Sequence, residues 1–481
     1  MNTATLETGA GHAARNRLVI NLLLVSSFVV ILNETMMAVA TPALMQSLSV
    51  TAAAAQWLTT AFLLTMAVGI PMTGFLLQRL HTRTVFILAM SLFSFGTFAA
   101  TIAPGLALLI VARVIQASGT AIMMPLLMTS IMTLVAPESR GKTMGFVSAV
   151  ISVAPAIGPV LSGAILNYLH WRWMFVLVLP IALFSLWLGW RRIENVTTPR
   201  ETPLDIASVI LSAFAFGGSV YGISLFGVPP GPGNPPPWIP LVIGGVAMVA
   251  FVWRQLVLQR TNAALLDLRV FHSRMFTISL IVFALLMLTL FGTIILLPIY
   301  LQNVLSLSTL QTGLLLLPGA LLMGRLGPTV GRAYDRIGAT KLVVPGVIIV
   351  AAVLWAMTLL GTQSRWEYIL AGHIVMCVGF ALLFTPLFTV CMSSVPPQLY
   401  SHGSAVLGSF QQLGGAAGVA LFIAIMSAQS AKLTASGTTA LEALAGGIRA
   451  AFLVGAIGAL FAVASTFFVR KPEAAPAHVP H

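Results

Sequence analysis

Glu34 is a carboxylate in a place where carboxylates are costly. The 481 residues include only 11 Asp and Glu, and Glu34 alone lies well inside an uninterrupted apolar run, after Leu18 to Leu32 and before Met36, Met37, Ala38 and Val39. An ionisable group inside a bilayer costs roughly 2.5–3.5 kcal/mol on insertion scales, so a retained one marks function and calls for a partner. The chemistry open to it is reversible binding of a proton or a cation. Arg113 and Arg325 are the bases that fall within apolar runs. Helical rise puts Glu34 about 16 Å from the outer end of the first run and Arg113 about 12 Å from the outer end of the fourth, at similar depth. Burial favours the neutral carboxylic acid, whereas a close guanidinium favours the carboxylate. A site under both influences changes its proton affinity when their separation changes. Glu34 is therefore expected to carry the proton, Arg113 to make its release feasible, and Gln116, one turn below, to complete the set. A static ion pair that only fixes helix packing is the competing reading.

The elements that must hold these groups follow from composition. Hydrophobic residues make up 58%, charged residues 7%, and mean hydropathy is +1.00, against roughly 25% charged in soluble domains. Fourteen apolar runs recur between about residue 18 and residue 469, most about 20 residues or longer and so able to cross a core of about 30 Å. The expected class is an all-α membrane protein of 14 transmembrane helices. Of 24 Lys and Arg, only Arg172, Arg365, Lys432 and Arg449 fall on the outer side, and the rest outside the spans collect on the other. That bias predicts a multi-pass protein of the cell (inner) membrane with both termini cytoplasmic. The net charge of +13 is then a topology signal, and nucleic-acid binding is not expected without a basic soluble surface. No Cys/His ligand spacing or catalytic triad appears, so neither a metal nor an enzyme is expected. Cys377 and Cys391 share one predicted helix about 21 Å apart and cannot bridge each other.

Punctuation divides the chain. A cytoplasmic tail (1–17) is followed by a six-helix bundle (18–198), a two-helix insert with a basic linker (199–273), a second six-helix bundle (274–469) and a second tail (470–481). The outer loop of the insert, 228–238, is too rich in Pro and Gly to continue a helix. One motif recurs in both halves. Gly74, Gln78, Arg79 and Arg83 after the second run match Gly331, Asp335, Arg336, Gly338 and Lys341 after the eighth. A charged, Gly-turned connector at equivalent points suits a transporter built from duplicated bundles.

These residues resemble the major facilitator superfamily, in particular its 14-span drug:proton antiporters of the EmrB/QacA type. Asn33-Glu34-Thr35 resembles the first-span motif, and Arg113, Gln116 and Gly119 the basic motif of the fourth span. Pro155, Gly158, Pro159 and Gly163 resemble the fifth-span antiporter motif, and Asn33 to Thr35 with Gln116 to Pro125 are most similar to the lincomycin-resistance branch. The resemblance implies two six-helix bundles plus two additional central helices, with the first and fourth spans around one cavity. It implies proton-coupled export of amphiphilic drugs and dyes by alternating access, powered by the proton gradient without a cofactor, in a chain functional as a monomer. Small residues and proline in the fifth span would then form a pliable, tightly packed seal. Two positions depart from the pattern. The family's usual acid position holds Asn33, with the carboxylate one residue later, and Gln78 stands where the first connector has Asp. Asp335 and Arg336 retain the charged latch.

Candidate drug-contacting residues are Asn33, Met123, Met124, Tyr300, Gln302, Phe384, Phe388, Gln411 and Gln412. Aromatic, thioether and amide groups suit lipophilic ligands of variable shape because they repack readily. The alternatives are an exporter of an endogenous lipid, siderophore or metabolite, and a non-transporting receptor or scaffold on the same fold.

Overall fold

The computed structural model describes residues 3–195, 205–226 and 235–466. The boundary expected at 198–199, most of the 228–238 loop and the tail from 470 lie outside the described residues. Fourteen described helices are long and apolar enough to cross a membrane, and no strand occurs among the described residues. They are α1 (Thr3–Leu48), α2 (Ala52–Arg79), α3 (Thr82–Ile102), α4 (Leu106–Leu134), α5 (Arg140–Tyr168), α6 (Trp173–Arg192) and α7 (Ile206–Ser224). Then come α8 (Trp238–Leu258), α9 (Arg274–Ile299), α10 (Thr309–Ile337), α11 (Thr340–Met357), α12 (Trp366–Ser393), α13 (Tyr400–Ala435) and α14 (Ala440–Thr466). Helices dominate because a backbone in lipid must satisfy its own polar groups. Polar caps start several of them: Thr51 accepts from the Ala54 amide, Ser273 from the Phe276 amide, and Ser308 forms a capping box with Gln311.

The packing separates two bundles. Within α1–α6, α1 packs on α4, α5 and α6, and α3 on α4 and α6; within α9–α14, α12 packs on α9, α10 and α11, and α14 on α11 and α13. The bundles meet along two seams, α5 against α10 and α2 against α13. At the α5–α10 seam the helices cross closely enough that a Cβ added to Gly145 would strike the Gly327 backbone, and one on Gly331 the Gly141 backbone. Central in the sequence, α7 and α8 are peripheral in space. α7 packs on α2 and α13, flanking that seam, and α8 packs on α7.

A buried polar network ties this pair to the chain that follows. Asp205 caps α7 through Ser208 and accepts two hydrogen bonds from Arg254, at 2.6 and 2.7 Å. Gln255 donates to Ser208 Oγ at 2.7 Å and accepts from the Leu266 amide at 3.1 Å.

Candidate functional site

Three helices bring the first-bundle polar residues together, and a fourth adds an aromatic ring. Arg113 on α4 is 2% exposed. Its Nη1 donates to Gln116 Oε1 at 2.5 Å and to Asn33 Oδ1 at 3.4 Å. The guanidinium carbon sits 4.0 Å from the ring centroid of Phe62 on α2. Gln116 Nε2 in turn donates to Thr97 Oγ1 on α3 at 2.8 Å, and Thr97 donates to its own helix at the Phe93 carbonyl. Arg113 Nε and Asn33 Nδ2 are buried without a hydrogen-bond partner. The network is therefore under-satisfied, and each buried orphan donor costs about 1–3 kcal/mol.

Glu34 lies beside this network and outside it. The residue is half-buried. The ion pairs among the described residues are Arg15–Glu194, Arg254–Asp205, Arg269–Asp267 and Arg365–Glu367, so the expected direct pairing of Glu34 with Arg113 is not formed in this conformation. The reason is helical geometry. Consecutive side chains diverge by about 100°, and the guanidinium points at Asn33, anchored by Gln116 one turn along its own helix and by the Phe62 ring. The depth match does hold, since Arg113 reaches the residue immediately before Glu34.

The fifth-span motif meets the first helix here. A Cβ on Gly158 would strike Thr35 Oγ1, and Thr35 donates to the Ala154 carbonyl at 3.5 Å. Gly158 thus lets α5 brace α1 one residue from Glu34, with Pro155 and Pro159 inside the same helix. Gly163 departs from the expectation of tight packing, because a Cβ there would meet nothing within 4 Å.

The connector residues join the bundles at the end where most basic loops collect. Asp335 at the end of α10 accepts from the Gly141 amide through Oδ1 and the Lys142 amide through Oδ2, both at 3.0 Å. It caps the first turn of α5, where free amides and the helix dipole favour an anion. Gln78, its counterpart on α2, donates to the Gln398 carbonyl just before α13 at 3.3 Å. Each connector therefore reaches the start of a helix in the opposite bundle, through the neutral Gln78 in the first and the charged Asp335 in the second. Nearby bundle-to-bundle bonds join Thr129 to Ser404 at 2.9 Å, Thr385 to Ser148 at 2.8 Å and Arg140 to the Tyr400 hydroxyl at 3.3 Å. Gly74 packs against His402 and Ala405. Gly338 ends α10 with φ +82°, a conformation suited to glycine. Arg83 donates to the Trp190 carbonyl at 2.7 Å, Arg79 lies 5.8 Å from the Phe75 ring, and Arg336 is exposed. This end is closed.

A cavity of about 630 Å³ lies at the same end, between the chain that precedes α9 and the seam of α2 with α13, away from Glu34, with Gln78, Asp267, Arg269 and His402 among its walls. Burial pushes the Asp267 carboxyl up, but hydrogen bonds from Arg269 and the positive field of His402 and Arg269 outweigh it and hold the group low.

Several residues expected to line a drug cavity are core packing in this conformation. Met123, Tyr300, Phe384 and Phe388 are at most 1% exposed. Phe384 and Phe388 stack with Phe283 of α9, at 6.0 and 4.7 Å between ring centroids, which knits α9 to α12. The Tyr300 hydroxyl is spent on the Gly361 carbonyl at 2.5 Å. Met124, Gln302, Gln411 and Gln412 are half-buried, and Asn33 belongs to the Arg113 network. Phe62 and Thr97 were not among the expected site residues. One of 27 phenylalanines carries no mark in sequence of what lies over its ring.

Comparison with known proteins settles the family. The model for the Major Facilitator Superfamily matches residues 23–419. The chain belongs to that superfamily. It is 39% identical to the MFS-type transporter YcnB of Bacillus subtilis over 95% of both chains. It is 37% identical to the lincomycin resistance protein LmrB of Listeria monocytogenes, over 97% of this chain and 99% of that one. The structure also superimposes on the human organic anion transporter MFSD10 with a TM-score of 0.66 at 15% identity, covering 94% and 99% of the two chains. At that identity the likeness speaks for the fold alone. This major facilitator is thus a multi-pass membrane transporter with two six-helix bundles and an added helix pair, and not an enzyme.

Proposed function

We propose that this major facilitator exports amphiphilic small molecules in exchange for protons, with Glu34 as the proton carrier and Arg113 as the group that drives release. The observation that carries the reading is the placement of Glu34: a half-buried carboxylate in a membrane-spanning helix, next in the chain to Asn33, which a buried guanidinium held by neutral groups bonds. In this arrangement the carboxyl is free to take a proton. A rearrangement that brings the guanidinium to it favours the ionised form. The closed basic end supports an alternating cycle in which the bundles part at one end and then the other. Within that cycle Asp335 stabilises the state in which the basic end is shut, and Gly158 transmits movement of α5 to the segment bearing Glu34. The lincomycin-resistance names of full-length relatives and the scarcity of membrane acids point to neutral or monocationic lipophilic drugs as substrates. The bias of the basic loops supports cytoplasmic termini, and the proton gradient of the cell supplies the energy in this reading. The test is export against a concentration gradient in proteoliposomes with an imposed pH gradient, using lincomycin and a panel of lipophilic dyes. Accumulation that collapses with a protonophore supports the proposal. Movement indifferent to the pH gradient overturns proton exchange, and no movement of any panel member overturns the drug assignment.

A further inference from the structure

Arg113 is held by three groups without charge, the Phe62 ring, Gln116 and Asn33. A guanidinium with a buried orphan Nε would gain from a carboxylate partner, because charge-assisted bonds to a carboxylate are roughly twice as strong as neutral ones, and Glu34 is the chain neighbour of the Asn33 it already bonds. We propose that Phe62 is a positioning residue for proton exchange at Glu34: its ring keeps the Arg113 guanidinium off the carboxylate while the basic end is closed, and α2 withdraws the ring when that end opens. The inference rests on the proton-carrier reading of Glu34 and adds the device that times release.

The route runs along one ridge of α2. Phe62, Met66, Ile70 and Gly74 recur every four residues, the spacing of an i±4 ridge. Phe62, Met66 and Ile70 form an apolar cluster with Ala117 and Ala121 of α4, separate from the main core. Farther along, Ile70 Cγ2 lies 2.9 Å from where a Cβ on Gly408 of α13 would sit, and a Cβ on Gly74 would lie 3.2 Å from His402 Nδ1. The same ridge therefore touches the Arg113 network at one end and the α2–α13 seam at the other. Parting that seam moves α2 relative to α13 and offers the ring a different position over α4. Of the helices packed on α1, α4 supplies the charged group acting on Glu34, which is Arg113; none from α2, α5 or α6 acts on it among the described residues.

The experiment reads the protonation of Glu34 without needing a substrate. Dicyclohexylcarbodiimide modifies protonated carboxyl groups in apolar surroundings, and mass spectrometry of the purified full chain quantifies labelling at Glu34 across about pH 5 to 9, a range open to a buried carboxyl. Phe62→Leu frees the guanidinium to approach the carboxylate, so the labelling midpoint should move to lower pH, by about half to one and a half units for a desolvated cation–π contact. Phe62→Tyr keeps the ring and should keep the midpoint. On an Arg113→Gln background Phe62→Leu should cause no acid shift. An unchanged midpoint in Phe62→Leu, or an equal shift in the absence of Arg113, overturns the positioning role and leaves the Glu34 reading standing. Labelling that does not titrate in the wild type overturns both.

Discussion

Replacing Asp335 by Asn should loosen the closed basic end. Each Asp335 oxygen accepts one backbone amide of the opposite bundle at 3.0 Å. Hydrogen bonds to a charged group contribute about 1.5–3 kcal/mol each and neutral ones about 0.5–1.5 kcal/mol. Asparagine offers one neutral acceptor, and its NH2 faces an amide that also donates. Asp335 is half-buried and Lys142 exposed, so solvent screening argues for the lower part of the range. A loss of about 1–2 kcal/mol from the closed state changes its equilibrium with the open state about five- to thirtyfold. The reporter is a cysteine at Ser404, which is 2% exposed and bonded across the seam to Thr129, in a chain with Cys377 and Cys391 replaced by Ala. If opening limits access, N-ethylmaleimide should react with Cys at 404 about five to thirty times faster in Asp335→Asn. Gln78→Ala removes one neutral bond of 3.3 Å on a half-buried side chain, so its effect should stay within about threefold. Unchanged alkylation in Asp335→Asn, or an equal rise in both variants, would refute the asymmetry between the connectors.

Further consequences are open to direct measurement. Gly158→Val forces a side chain into Thr35 and should cost about 1–3 kcal/mol as overpacking, seen as a lower melting temperature and lost transport; Gly163→Ala, with open space around it, should be tolerated in both respects. A cysteine at the exposed Ser436 should react with an impermeant thiol reagent on intact cells and one at Glu138 only after lysis, and the reverse pattern would invert the topology. Hydrogen bonding from Arg254 holds the Asp205 carboxyl well below the usual carboxylate range. A depressed folded value gives stability that is fully present above the unfolded value of about 4 and is lost only as pH falls through the folded one. Asp205→Asn should therefore lower the melting temperature equally at pH 5 and pH 8; a difference confined to pH 5 would contradict the clamp.

The spans, their number and the bundle halves were legible because a bilayer demands long apolar helices, and hydropathy records that demand residue by residue. Glu34, Arg113 and Gln116 were legible for the complementary reason: polar groups stand out against such a background. The direction a side chain takes is another matter. Asn33 and Glu34 are neighbours in the chain, yet helical rotation separates their directions and the guanidinium takes the first. Aromatic and thioether side chains look alike in sequence whether they face a drug or a core, so Tyr300, Phe384 and Phe388 suggested a lining where the structure has packing. The motif around Asp335 marked a charged connector, but its partner amides at Gly141 and Lys142 are backbone groups that no residue identity reveals. The place of α7 and α8 beside the α2–α13 seam depends on long-range packing that punctuation between spans does not encode.

The central claim is that Glu34 gains and loses the exchanged proton, and proton release on drug addition tests it most directly. Purified wild-type protein in weakly buffered detergent solution, titrated with lincomycin or a lipophilic dye it binds, should release protons that a pH indicator detects. Glu34→Gln keeps the size and hydrogen bonding of the side chain while fixing it neutral, so the drug should still bind and release should vanish. Proton release at the wild-type level from Glu34→Gln would contradict the account.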